Sequence, residues 1–194
     1  MHRKLVARGA VLSVFLSLSP AFADEEEEKK PPTGLYLQPH IHALTGWKIT
    51  VDDPAMQQDT QVELRNGGGV GLRLGYDFSR YVGLFASVEA NAESEGPYFG
   101  YGAGLTLRTG KFGPLRLNAR LGARVLEPVT PIVYGTAGVG AELFLFRTVS
   151  LGAEVDAALP LAEATRDNGL TRENVSADGG PVRGIIALTW YIGG

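Results

Sequence analysis

Residues 115–125 read LRLNARLGARV, and this stretch decides the fold. Leu115, Leu117, Ala119, Leu121, Ala123 and Val125 take one parity. Arg116, Asn118, Arg120, Gly122 and Arg124 take the other. Successive side chains of a strand point to opposite faces, so strict alternation gives one apolar face and one polar face. A helix would scatter both classes around its axis.

The same alternation recurs on both sides of this segment. Upstream, Leu35, Leu37, Pro39, Ile41 and Ala43 alternate with Tyr36, Gln38, His40 and His42, and the odd parity continues through Trp47, Ile49 and Val51. Val62 and Leu64 lead in phase into Val70, Leu72, Leu74, Tyr76 and Phe78, so the first hairpin is expected to project past the others. Val82 to Glu89 gives a third strand, with a loop expected over 91–97. Phe99 to Arg108 gives a fourth, with a turn over 109–114. Downstream come Val133 to Leu145, Val149 to Ala157 and Val182 to Ile192, with a long polar loop expected over 160–181. Phe144 and Phe146 break the pattern by falling on the polar parity. Eight antiparallel strands joined in sequence predict an all-β, eight-stranded up-and-down barrel over 34–192.

Alternation alone does not say which face turns inward, since a lipocalin-like barrel has as many strands and buries its apolar face. Glycines gather on the polar parity, where a narrow lumen needs small residues. Aromatics sit near strand ends on the apolar parity. Both features predict a transmembrane barrel with its apolar face outward. Tyr76, Phe78 and Trp190 would then form one aromatic girdle, and Phe99 and Tyr101 the other. The lumen would hold Arg73, Glu89, Arg116, Arg120, Arg124, Glu142, Glu154 and Asp156, together with His40. Charges in so narrow an interior should pair with one another.

The N-terminus reads as an export signal over 1–23. Arg3, Lys4 and Arg8 precede a short apolar stretch, and Ala21-Phe22-Ala23 offers a cleavage site after Ala23. Residues 24–33 begin DEEEEKKPP, an acidic tail that cannot bury apolar surface and is expected to be disordered. The chain has no cysteine, which excludes disulfides and thiolate metal sites. Its net charge of −3 and pI near 5.6, with no basic cluster, give nucleic acid no footprint. Beyond the signal no apolar run approaches the ~18 residues of a spanning helix.

This pattern of strand count, glycine-rich polar faces and an aromatic near the last strand's end resembles the eight-stranded OmpA/OmpX-type outer-membrane barrels. The projecting hairpin over 34–78 is the more OmpX-like feature. The family usually ends on an aromatic residue, whereas this sequence ends in Gly193-Gly194, so Trp190 or Tyr191 would have to serve. The resemblance implies residence in the outer membrane of a Gram-negative envelope. It also implies insertion by the barrel assembly machinery and contact with outer-membrane lipid and lipopolysaccharide. Such barrels serve as anchors, adhesins, narrow pores and a few enzymes.

Nothing in the sequence calls for a cofactor. Catalysis in such a barrel needs a His base beside a hydroxyl and a carboxylate. After the signal the histidines are His40 and His42, both on the first strand. Ser87 and Ser150 fall on nonadjacent strands, so no enzyme is expected. The pair also lacks a third metal ligand. The expected role is structural or surface interaction, with any extracellular ligand bound through loops 45–66 and 160–181. The alternative is a narrow porin-like channel for ions or small solutes.

Overall fold

The computed structural model describes residues 32–53, 58–93, 96–128, 130–162, 164–167 and 172–192. The expected export signal and most of the acidic tail lie outside the described residues. Eight strands close into an antiparallel barrel. They are β1 (Gly34–Leu44), β4 (Gly67–Asp77), β5 (Val82–Glu93), β6 (Gly96–Phe112), β7 (Leu115–Leu126), β8 (Ile132–Phe144), β9 (Val149–Pro160) and β12 (Val182–Ile192). Each pairs with its neighbours along the chain, and β1 closes the ring between β4 and β12.

The expected facing is the one observed. Val139 is 58% exposed on the outside wall, and Leu72, Leu121, Val155, Ile186 and Leu188 are exposed beside it, whereas Arg116 and Arg183 are almost wholly buried inside. This inverts the arrangement of a protein that folds in water.

Size complementarity explains why the lumen face is rich in glycine. The large inward residues of β1 sit opposite small ones of β4: Tyr36 pairs with Gly75, His40 with Gly71 and His42 with Gly69. A Cβ at Gly75 would collide with the Tyr36 ring, and one at Gly71 with the His40 ring. The β1–β12 ladder is interrupted between Leu37–Trp190 and His40–Ala187. Pro39 has no N–H to donate there. The Gln38 side chain spans the gap inside, its Nε2 donating to Thr189 Oγ1 at 2.6 Å.

Three connections differ from expectation. Strand β5 runs to Glu93 and β6 starts at Gly96, so most of the loop expected over 91–97 is ladder. Strand β6 passes a bulge between Arg108 and Lys111 and reaches Phe112, so the turn over 109–114 shrinks to its end. The largest correction concerns the segments expected as loops 45–66 and 160–181. They contain β2 (Trp47–Asp53), β3 (Gln58–Leu64), β10 (Ala164–Asp167) and β11 (Arg172–Asp178), which form a four-stranded sheet in the order β10-β11-β2-β3.

That sheet lies over one mouth of the barrel. Trp47, Ile49, Leu64 and Val175 on its underside join Leu44, Tyr98, Leu126, Ile132, Tyr134 and Ala158 of the barrel rim in one buried cluster. Trp47 meets Tyr98 edge-on, with ring centroids 6.2 Å apart. The sheet is therefore a lid with its own apolar core. The opposite mouth carries the short connections and is called the turn end below.

Candidate functional site

The lumen is the candidate site, because the described residues concentrate their buried charge there. Inward positions of β4, β5, β6, β7, β8, β9 and β12 supply the groups, and their contacts arrange them in three tiers.

The tier beneath the lid joins Arg124 and Arg183 to Glu89 and Asp156. Arg183 Nη1 lies 2.5 Å from Glu89 Oε2. Its Nε and Nη2 donate to the two oxygens of Asp156, at 2.8 and 2.5 Å. Arg124 Nη2 donates to Asp156 Oδ2 at 3.0 Å, and its Nε lies 3.7 Å from Glu89 Oε1. Two guanidinium groups and two carboxylates thus neutralise one another with directed bonds.

The middle tier holds Arg73 and Arg120 with Glu154 and Gln38. Both guanidinium groups approach Glu154 Oε2, Arg73 at 3.4 Å and Arg120 in direct contact. Both also donate to Gln38 Oε1, Arg73 at 2.5 Å and Arg120 at 3.2 Å. The tier at the turn end joins Arg108 to Asp77 and Arg116 to Glu142, the latter at 2.6 Å. Arg116 also donates to the Tyr191 hydroxyl, which in turn donates to Glu142 Oε2 at 3.2 Å.

The structure places all eight sequence-nominated lumen charges in these tiers, and the 4.0 Å approach of Arg120 to Glu142 links the middle tier to the turn end. It adds Asp77, Arg108 and Arg183, which sequence reasoning did not nominate. Their signal was present: Arg108 falls on the polar parity of its strand, and Arg183 falls on the parity opposite Val182. Phe144 also finds its reason here. Its ring stacks on Tyr191 at 6.1 Å, with Arg116 and Lys111 over its face. An aromatic on the polar parity therefore closes the turn end by cation–π contact. Phe146, by contrast, lies in the turn after β8 and is exposed.

The nominated girdle residues all face outward. Tyr76, Phe78 and Trp190 lie toward the turn end and Phe99 and Tyr101 toward the lid, each about half exposed or more. The histidine rings lie 5.6 Å apart in the lumen. His42 Nε2 bonds to Asn91 Oδ1 at 2.7 Å, and His40 Nδ1 lies 3.5 Å from the Gln38 carbonyl. Among the described residues no group of three or more His, Asp or Glu side chains is placed to hold a metal.

On the water-facing side of the lid, Lys48 Nζ meets Glu63 Oε1 at 2.6 Å. The hydrogen bond and the opposite charge raise the lysine's pKa and lower the glutamate's.

No family model matches this sequence, and no curated protein matches it. Solved structures do match its fold. The outer membrane protein OprG from Pseudomonas aeruginosa superposes with a TM-score of 0.60 at 10% identity, over 83% of this chain and 97% of that one. Neisserial surface protein A superposes with a TM-score of 0.50 at 12% identity, over 82% of this chain and 98% of that one. The chain therefore has the fold of the eight-stranded outer-membrane barrels.

Proposed function

We propose that this chain is an outer-membrane protein whose barrel is a closed anchor and whose lid carries its interactions with the outside. One observation carries the reading: side chains close the lumen at both ends. An apolar cluster seals the lid end, three tiers of interacting charged side chains lie between, and Phe144 with Tyr191 closes the turn end. An eight-stranded barrel has an interior just wide enough for side chains, and here they take it. The apolar outer wall supports residence in a bilayer, where its contacts are outer-membrane lipid and lipopolysaccharide. Trp190 is outward and Tyr191 buried on β12, so Trp190 is the aromatic available to the assembly machinery. Surface binding falls to the water-facing side of β2, β3, β10 and β11, a role suited to segments held on a rigid scaffold.

The test is single-channel recording on the refolded chain in planar bilayers, after a heated-versus-unheated gel shift has established folding. A folded barrel without discrete steps is the expected result. Reproducible unitary steps would overturn the closed-anchor reading in favour of a narrow channel.

A further inference from the structure

We propose that the middle tier of the lumen binds one small monovalent anion, of the chloride class, between the Arg73 and Arg120 guanidinium groups. The argument starts from charge. The tier under the lid has two arginines and two carboxylates, as does the tier at the turn end. The middle tier has two arginines and only Glu154.

Geometry agrees with the count. Arg73 and Arg120 crowd onto the same carboxylate oxygen and the same Gln38 oxygen. Their Nε atoms are buried without a partner, as are guanidinium nitrogens of Arg108, Arg116 and Arg124 in the other two tiers, so the single shared carboxylate is what sets the middle tier apart. Neither Glu142 nor Glu93 offers relief. Glu142 Oε1 stands 4.0 Å from Arg120 Nη2 and 3.9 Å from Arg108 Nε, too far to hydrogen-bond either, while its other oxygen serves Arg116 at 2.6 Å. Glu93 bonds to the Tyr98 hydroxyl and sits six positions along β5 from Ser87, the residue opposite Arg73. That spacing is about 20 Å of strand.

A buried charge without a partner costs several kcal/mol, so a counter-ion that fits is drawn in. The tier is crowded by Gln38 and by the Phe85 ring, which lies 5.2 Å from the Arg73 guanidinium carbon. Such crowding favours a small monovalent ion over a polyatomic one.

The experiment is a thermal gel-shift titration of the refolded chain in detergent at fixed pH and ionic strength, with gluconate replaced stepwise by chloride. The midpoint should rise by about 3 °C and saturate, as linkage to one site requires. Bromide should do the same, and crystals grown in bromide should show anomalous density between Arg73 and Arg120. R73M balances the tier and should abolish the chloride dependence. E154Q doubles the excess and should enlarge it. Superimposable gluconate and chloride curves would overturn the proposal. So would an R73M barrel that keeps the full dependence, an E154Q barrel whose dependence does not grow, or bromide density elsewhere alone. If neither variant refolds, the wild-type titration and the bromide map decide.

Discussion

The first hairpin (β1 to β4) and the last (β9 to β12) both leave the barrel wall and enter the lid, and they cross that boundary in opposite ways. In the wall, apolar residues must face outward. In the lid, they must face inward, onto the mouth. The first hairpin keeps its apolar parity and turns its backbone. Leu44 and Trp47 are both buried although three positions apart, so odd residues that faced outward in β1 face the core in β2. On the partner strand, Leu64 and Arg73 show the same reversal. The last hairpin keeps its backbone facing and changes its sequence. Val175 and Arg183 both point inward at even spacing, but the inward residue is apolar in the lid and charged in the wall. One hairpin reverses in space and the other in composition, and both obey the same solvent boundary.

The joint where the first hairpin reverses is visible in its bonds. Gly46 N donates to Asn66 Oδ1 at 2.9 Å, and Thr45 exchanges bonds with Val182 through its N–H and its hydroxyl, at 2.9 and 3.0 Å. The β1–β12 register also slips there. The first hairpin advances four positions from Leu44 to Lys48 while its neighbour retreats five, from Arg183 to Asp178. A one-residue slip changes the face presented by every later residue, which lets the two hairpins meet core to core in the lid.

The largest expected effect tests the wall. Leu121→Arg places a charge on the outward face of β7, and near the middle of a bilayer such a change costs about 2–4 kcal/mol. Refolding in lipid vesicles with urea titration reads it. A neutral result would break the premise that outward residues meet lipid.

Next in size is the lid core. Ile49 is fully buried, and Ile49→Ala removes about 2 kcal/mol or more in a site that cannot collapse. The loss should be local. Protease cleavage within the lid should speed up while the gel-shift midpoint of the barrel stays put, because the wall strands touch this cluster only at their rim and are held by their own closed ladder. A fall in barrel midpoint equal to the rise in lid opening would show that lid and wall fold as one unit.

A smaller effect is expected at the joint. Gly46→Val puts a Cβ against the Leu64 carbonyl and Arg65 backbone. Overpacking of this kind costs about 1–2 kcal/mol, and it should loosen β2 and β3 more than β10 and β11. Hydrogen exchange on the lid amides measures the asymmetry. Equal loosening of all four strands would deny the first hairpin its special joint.

The contrast between the hairpins also explains what could be read from the sequence. Eight wall strands are legible because the apolar parity persists along each outward face. The extension of the first hairpin is legible for the same reason: Trp47, Ile49 and Val51 continue the phase of β1. Strands β10 and β11 are not, because their apolar parity shifts relative to β9 and β12 and their residues are polar enough to resemble a loop. Phe144 looked anomalous because an aromatic can close a lumen through cation–π contact, which parity alone does not register. The tier structure of the charges could not be read at all. It depends on which arginine reaches across the barrel, and that is set by strand stagger rather than by order along the chain.

The smallest effect concerns the Lys48–Glu63 pair, which joins β2 to β3 in the first hairpin and so tests that side of the comparison. The two side chains are 52% and 65% exposed. Exposed pairs are screened by water and salt and lose side-chain freedom in holding one geometry, so many contribute nothing measurable. The direction of any pH effect is nevertheless fixed. The Glu63 pKa is lowered in the folded lid, so whatever the pair contributes is present above the carboxylate's unfolded value. It is lost as pH falls through the folded one. If the pair mattered, acid would open β2 and β3 before β10 and β11, and Lys48→Met would erase that order. The expected outcome is that Lys48→Met leaves hydrogen exchange across the lid unchanged at neutral pH and on mild acidification. The lid would then be held by the cluster around Trp47, Ile49 and Val175.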